Sequence, residues 1–329
     1  MQIKLPVLIT VSSPFQCLCA IEAINTFSIR EYSFWVICNK GKRLEQIKMI
    51  LEKYHIQERN ILPSPNFLHF LWKYIVKSDK IRPDYFKIGI CGDFKNINML
   101  MFLAKNLSKK AKIMYVDDGF TSIYPLNDIA YKDRKVIMRY SFYSFLKKFK
   151  GIEDSCFFSI FTNKTKKYNV IRNELNLLKS PSSMKQSGIY IIGTVSQFVD
   201  SILPDKNFSD YFFSVVNWIS KEYPTEKIFY SPHGRSIEDS SIRLVCEDFK
   251  IETIASKYTI ELDYSWKRYN PVAIIGFGST ALVTLKKVYP QANVINIFLP
   301  SKVELFAKKN TFINEYLEKE GILTKRILE

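Results

Sequence analysis

Short apolar, β-rich runs alternate with helical runs along this chain, stop at one Ser/Pro/Gly-rich stretch, 179–188, and then begin again. That punctuation constrains the fold more than any other feature of the sequence. Residues 6–12, 32–38, 85–91 and 112–116 read as strands. Between them, 15–27, 43–54 and 96–107 carry apolar residues at helical spacing, with Ser12 or Ser13 placed to cap the first. Residues 67–76 read as an aromatic helix. Past the break, 190–192, 227–230, 272–276 and 294–298 read as strands, and 210–222, 280–288 and 303–319 as helices. Strands separated by helices of this length predict parallel βαβ units. The expected fold is α/β, with two doubly wound domains at 1–180 and 187–329, which suits a length of 329 residues.

Hydrophobic residues make up 47% and charged residues 24%, the balance of a folded chain with a full core rather than a disordered one. No apolar run reaches the roughly 18 residues needed to span a bilayer. The sequence opens Met-Gln-Ile-Lys and enters a strand-like run at once, so no cleavable leader is expected and a cytoplasmic location is. The six cysteines lie in apolar patterns without paired metal-ligand spacing, as reduced buried thiols do. The net charge of +16 favours anionic partners: nucleotides, acidic sugars or anionic lipid. A lysine-rich solvated surface accounts for part of it. No zinc-finger, RNP-type or basic-zipper pattern appears, so nucleic acid is not the expected partner. Residues 136–150 mix aromatics with Lys147, Lys148 and Lys150, which suits either a segment lying at a membrane interface or a buried aromatic helix.

Three turns carry the chemistry. Asp117-Asp118-Gly119 follows the strand at 112–116, Ser231-Pro232-His233-Gly234-Arg235 follows 227–230, and Gly276-Phe277-Gly278-Ser279-Thr280 leads from a strand into a helix. Open α/β sheets bind ligands beyond the carboxyl ends of their strands, so these turns are expected to face one cleft. Adjacent carboxylates raise one another's pKa, which suits a general base; the same pair also suits Mg²⁺. A nucleotide phosphate beside His233 would favour imidazolium, the form that protonates a departing phosphate, while a structural loop histidine is the plainer alternative. Ser279 and Thr280, where a helix begins, offer hydroxyls and unpaired N–H groups to an anion; an ordinary N-cap uses the same residues. Glu261 suits a pair of ribose hydroxyls, or a solvent-facing position on a helix.

Two Rossmann-like domains around a cleft resemble the GT-B glycosyltransferases. The motifs resemble those of bacterial sialyltransferases, most closely the lipooligosaccharide sialyltransferases of glycosyltransferase family 52. The family's D/E-D/E-G motif is matched by Asp117-Asp118-Gly119, its His-Pro motif by His233-Gly234-Arg235, and its Ser/Thr turn by Gly278-Ser279-Thr280-Ala281-Leu282. Its N-terminal polar turn with a Gln is matched by Ser13-Pro14-Phe15-Gln16, and a Tyr-x-Ile-Glu segment by Tyr258-Thr259-Ile260-Glu261. The matches run in order from about residue 8 to about 300. The chain departs from the pattern at Gly234, where the family has proline.

The resemblance implies an inverting sialyltransferase that moves N-acetylneuraminic acid from CMP to a hydroxyl of a bacterial surface glycan, lipooligosaccharide or capsule. It implies Asp118 as base and His233 as acid. Arg235, Gly278, Ser279 and Thr280 would hold the phosphate and Glu261 the ribose, with Ser13, Gln16, Asp117 and Gly119 on the acceptor or sugar side. A second base candidate is Asp205, in the stretch that follows the glycine-ended strand at Gly193. No cofactor or metal is expected. The expected partners are a CMP-sugar donor and a lipid-linked glycan acceptor, with peripheral contact to an anionic inner membrane, and a homodimer stays open. Transfer of another CMP-activated nonulosonic acid or of Kdo is the close alternative; a non-catalytic glycan-binding or assembly protein is the more distant one.

Overall fold

The computed structural model describes residues 2–56, 59–62, 85–120, 122, 134–161, 169–179, 186–203, 207–233, 239–254, 258–267 and 269–327. The chain divides into two units, Met1–Glu174 and Leu175–Glu329.

The first unit is a seven-stranded parallel sheet. Its strands are β1 (Val7–Val11), β2 (Tyr32–Ile37), β3 (Arg59–Leu62), β4 (Phe86–Cys91), β5 (Leu107–Val116), β6 (Glu153–Ser159) and β7 (Asn169–Arg172). They lie side by side in the order β3-β2-β1-β4-β5-β6-β7. The chain moves outward from β1 to β3, returns to β4 beside β1, and moves outward the other way. The direction of winding therefore reverses between β1 and β4. All five residues of β1 are buried, as befits a central strand covered on both faces. The helices are α1 (Pro14–Thr26), α2 (Lys42–Lys53), α3 (Ile97–Asn106) and α4 (Arg134–Lys150). Ser13 caps α1 by accepting from the Gln16 N–H, with Pro14 at the first turn where a missing N–H is harmless. Asn96 caps α3 in the same way. The buried face of α3, with Leu100, Phe102 and Leu103, packs into one cluster with Trp35, Ile113 and Tyr115 of the sheet.

The second unit repeats the scheme with six strands. They are β8 (Gln186–Ile192), β9 (Ile228–Ser231), β10 (Glu252–Thr253), β11 (Tyr269–Gly276), β12 (Asn293–Ile297) and β13 (Leu323–Lys325). Their order is β10-β9-β8-β11-β12-β13, all parallel, so winding reverses between β8 and β11. The helices are α5 (Ser196–Ile202), α6 (Phe208–Glu222), α7 (Ser240–Asp248), α8 (Ile260–Lys267), α9 (Thr280–Val288) and α10 (Glu304–Lys319). Asn207, Asp239 and Ser279 cap α6, α7 and α9. Phe208, Phe212 and Ile219 of α6 bury against Ile189, Ile191, Tyr230 and Ile275 of the sheet. Each such side chain contributes about 1.5–3 kcal/mol relative to exposure.

The expected alternation is present in both units, with more elements than the sequence announces. Strand β5 begins at Leu107 rather than 112, because Lys109 and Lys110 interrupt the apolar pattern without ending the strand. Strands β3, β6, β7, β10 and β13 and helices α5, α7 and α8 were not expected. Strand β11 starts at Tyr269, ahead of the expected 272, and its register against β8 shifts between Pro271 and Ala273, where proline has no N–H to give. The expected helix at 67–76 lies outside the described residues. All six cysteines are unbridged and buried. No helix among the described residues is long and apolar enough to cross a membrane.

Candidate active-site residues at the carboxyl ends of the two sheets

In the first unit the carboxyl ends of β1, β4 and β5 are adjacent. Gln16, one turn into α1, is 1% exposed and connects them. Its Oε1 accepts from the Ser12 N–H at 2.7 Å and the Ser12 hydroxyl at 3.1 Å. Its Nε2 donates to Asp118 Oδ1 at 2.6 Å. The amide can lie there because residue 92 is glycine: a Cβ at that position would stand 2.7 Å from Gln16 Oε1 and 2.9 Å from its Cβ. Asp118 is half-buried, and its N–H donates to the Ser122 hydroxyl at 2.8 Å across the turn at Gly119.

Asp117 faces the other way. It is fully buried, and its carboxylate accepts from the Ser159 hydroxyl and the Ile160 N–H, both at 2.6 Å. Those bonds tie the end of β5 to the end of β6. The two adjacent carboxylates thus have separate sets of donors, and Asp118 is the one turned toward Gln16. Ser13 serves as the α1 cap, its hydroxyl accepting from the Gln16 N–H at 3.3 Å. Asp93, just past β4, was not singled out by sequence reading. Its carboxylate accepts from the Lys95 N–H at 2.9 Å, and burial pushes its pKa up. The signal was an Asp directly after a strand-ending Gly, but it carried no recognised motif.

In the second unit the switch point lies between β8, which leads into Gly193, and β11, which leads into Gly278-Ser279-Thr280. His233 follows β9, which pairs with β8. Gly193 lets the two loops approach. Its N–H donates to Ser231 O at 2.8 Å, and a Cβ there would stand 2.9 Å from the His233 nitrogen. Ser231 is itself fixed by a 3.0 Å hydrogen bond between its hydroxyl and that of Tyr264. His233 is half-buried. Gly234 and Arg235, and Asp205 after α5, lie outside the described residues.

Ser279 is the N-cap of α9, its hydroxyl accepting from the Ala281 N–H at 3.2 Å. The Gly278 N–H is held at 2.8 Å by Oδ1 of Asn296, which is fully buried and donates in turn to Asn314 and Thr324. Asn296 was also missed by sequence reading. An asparagine between two isoleucines, Ile295 and Ile297, was the available signal. Thr280 and Thr284 share a face of α9 at a spacing of four residues. The Thr284 hydroxyl lies 3.0 Å from Ala281 O and 3.3 Å from Glu261 Oε1, so the glutamate of α8 meets α9 one turn in from its start. Glu261 is 6% exposed, not solvent-facing, and burial drives its pKa above the ordinary glutamate value.

No protein-family model matches the chain. No curated protein matches it by sequence. Solved structures do. An α/β-galactoside α-2,3-sialyltransferase from the luminous marine bacterium Photobacterium phosphoreum superimposes with a TM-score of 0.59, covering 99% of both chains at 11% identity. The sialyltransferase of Photobacterium damselae, over its GT-B domain, matches with a TM-score of 0.54, covering 97% of this chain and all of that one at 10% identity. The fold is GT-B. A UDP-N-acetylglucosamine 2-epimerase also matches, with a TM-score of 0.54 over 90% of this chain and 79% of the other at 10% identity. One fold thus hosts more than one chemistry among the similar structures, and function has to be argued from the site.

Proposed function

We propose that the protein is an inverting sialyltransferase that uses CMP-N-acetylneuraminic acid. The observation that carries this reading is buried Glu261 bonded to Thr284, one turn into α9, the helix that follows β11 at the β8/β11 switch point. A helix start binds phosphate through its unpaired N–H groups, and a carboxylate at that side accepts from the two ribose hydroxyls. Ser279 and Thr280 flank the phosphate, with Gly278 held in place behind them by Asn296. His233 donates a proton to the phosphate oxygen as the bond from the anomeric carbon to that oxygen breaks. Asp118, oriented by Gln16, takes the proton of the acceptor hydroxyl, whose oxygen replaces the phosphate on the anomeric carbon. Charge balances: one proton leaves His233, one arrives at Asp118, and CMP departs. The acceptor is a lipid-linked bacterial surface glycan. Another CMP-activated nonulosonic acid, or Kdo, would use the same nucleotide contacts. The full-length likeness in fold to two sialyltransferases supports the reading, and the sequence motifs support it independently.

Thermal denaturation with CMP, UDP and UDP-N-acetylglucosamine tests it. A ligand present at 100 times its Kd and bound only to the folded state adds about 2.7 kcal/mol. CMP should raise the midpoint and the two uridine nucleotides should not. Equal or greater stabilisation by UDP would favour the chemistry of UDP-sugar enzymes and remove the sialyltransferase reading.

A further inference from the structure

Helix α4 presents two unlike faces. One is bound down: Tyr143 is buried, and the Tyr140 hydroxyl donates to Lys95 O at 2.8 Å. Lys147 pairs with Asp154 at 2.5 Å, and Lys150 Nζ donates to the carbonyls of Lys105 and Leu107 at 2.5 and 2.6 Å. Two of the three lysines expected to meet a membrane are therefore turned inward. The other face holds Phe142, Phe145 and Phe149, spaced three and four residues apart so that they share one stripe. They are 42%, 62% and 70% exposed, and the Phe145 and Phe149 rings stack with centroids 6.2 Å apart. A row of large aromatics on the outside of a helix held down through Tyr140, Tyr143, Lys147 and Lys150 is not core packing.

The charge around the stripe points to its occupant. Arg134–Lys150 contains six Lys or Arg residues and no Asp or Glu. Lys148 is exposed next to Phe149, and the exposed Lys109 and Lys110 lie at the helix's C-terminal end, with the Lys110 side chain against Gly151. The carboxylates near this end are Asp154, already paired with Lys147, and exposed Glu153. A second copy of the chain would set this basic helix against another like it, at a cost in repulsion. An anionic bilayer pairs with both features, taking the rings among the acyl chains and the cations at its phosphates.

We infer that α4 docks the protein on anionic phospholipid through Phe142, Phe145 and Phe149, with Lys148, Lys109 and Lys110 at the headgroups. This stands whatever sugar the protein transfers. The test is co-sedimentation of the full chain with vesicles of phosphatidylcholine alone and of phosphatidylcholine mixed with phosphatidylglycerol. Binding is expected to the mixed vesicles and to weaken as salt rises. The Phe145→Ser/Phe149→Ser variant should partition about tenfold less while keeping its melting midpoint. Equal partition of variant and parent, or no binding of the parent, overturns the proposal. Should that variant not fold, Phe149→Cys serves instead: the native thiols are all buried, so a polarity-sensitive dye would label position 149. Its emission should shift to the blue on anionic vesicles. A blue shift that follows protein concentration without lipid would identify a second copy as the occupant and overturn the membrane proposal.

Discussion

Gln16 has both ends of its amide engaged, and that fixes how Asp118 is presented: one carboxylate oxygen is held by a neutral donor at 2.6 Å. Replacing Asp118 with alanine should lower transfer by about two to four orders of magnitude, the span of a general base, with CMP stabilisation unchanged. His233→Ala should lower transfer over a similar span. Asp205→Ala is the control; loss of transfer there, with Asp118→Ala active, would move the base to the second unit. Activity should persist in EDTA. Asp117 is bound by Ser159 and Ile160 and Asp118 by Gln16, so each carboxylate already has hydrogen-bond donors from the protein. Chelator sensitivity reversed by Mg²⁺ would say otherwise. Glu261 gives the pH test. Its pKa is raised by burial, so the folded state holds the proton more tightly than the unfolded chain. Stability therefore falls as pH rises from the ordinary glutamate value through the raised one, and stays lower above it. Glu261→Gln removes the buried charge. The variant should melt higher than the parent at neutral pH, with the gap closing on acidification, and should respond less to CMP. A variant that melts lower with its CMP response intact would make Glu261 a structural residue.

At the scale of elements, Ser279 has two readings that one variant separates. As a cap, Ser279→Ala costs about 1 kcal/mol of stability. As a phosphate ligand it also weakens CMP binding, read from the nucleotide dependence of the melting midpoint. The sequence made the helix start legible, because Ser-Thr before an apolar helical run is where an N-cap falls. It made β1 and the buried end of β8 legible for a related reason: central parallel strands are covered on both faces and read as apolar runs, although β8 starts at Gln186 rather than 190. The outer strands were not legible. Strand β6 opens with Glu153-Asp154-Ser155 and is apolar only from Cys156, and β10 is two residues long. Of the site, the motif residues were legible but their partners were not. That Gln16 reaches Asp118, 102 positions away, follows from strand order and from the missing side chain at Gly92. Periodicity reports neither. The same holds for Asn296 behind Gly278.

For the whole molecule, two hydrophobic clusters among the described residues are made from separate stretches of chain, Leu8 to Phe157 in one and Ile189 to Ile297 in the other. Calorimetry should resolve two transitions, and CMP should raise only one, because Glu261, Ser279 and Thr280 all belong to the second unit. A CMP shift of the other transition would place the nucleotide contacts in the first unit. The contiguity of the units also has a consequence for biosynthesis. Among the described residues, those up to Glu174 supply every strand of the first sheet. At roughly 5–20 residues per second of translation, the remaining 155 residues of the second unit take about 8–30 s to emerge. The first sheet, with α4 and its phenylalanines, is free to fold on the ribosome before the second unit exists, so under the two proposals above the nascent chain meets a lipid surface before it is able to bind a donor.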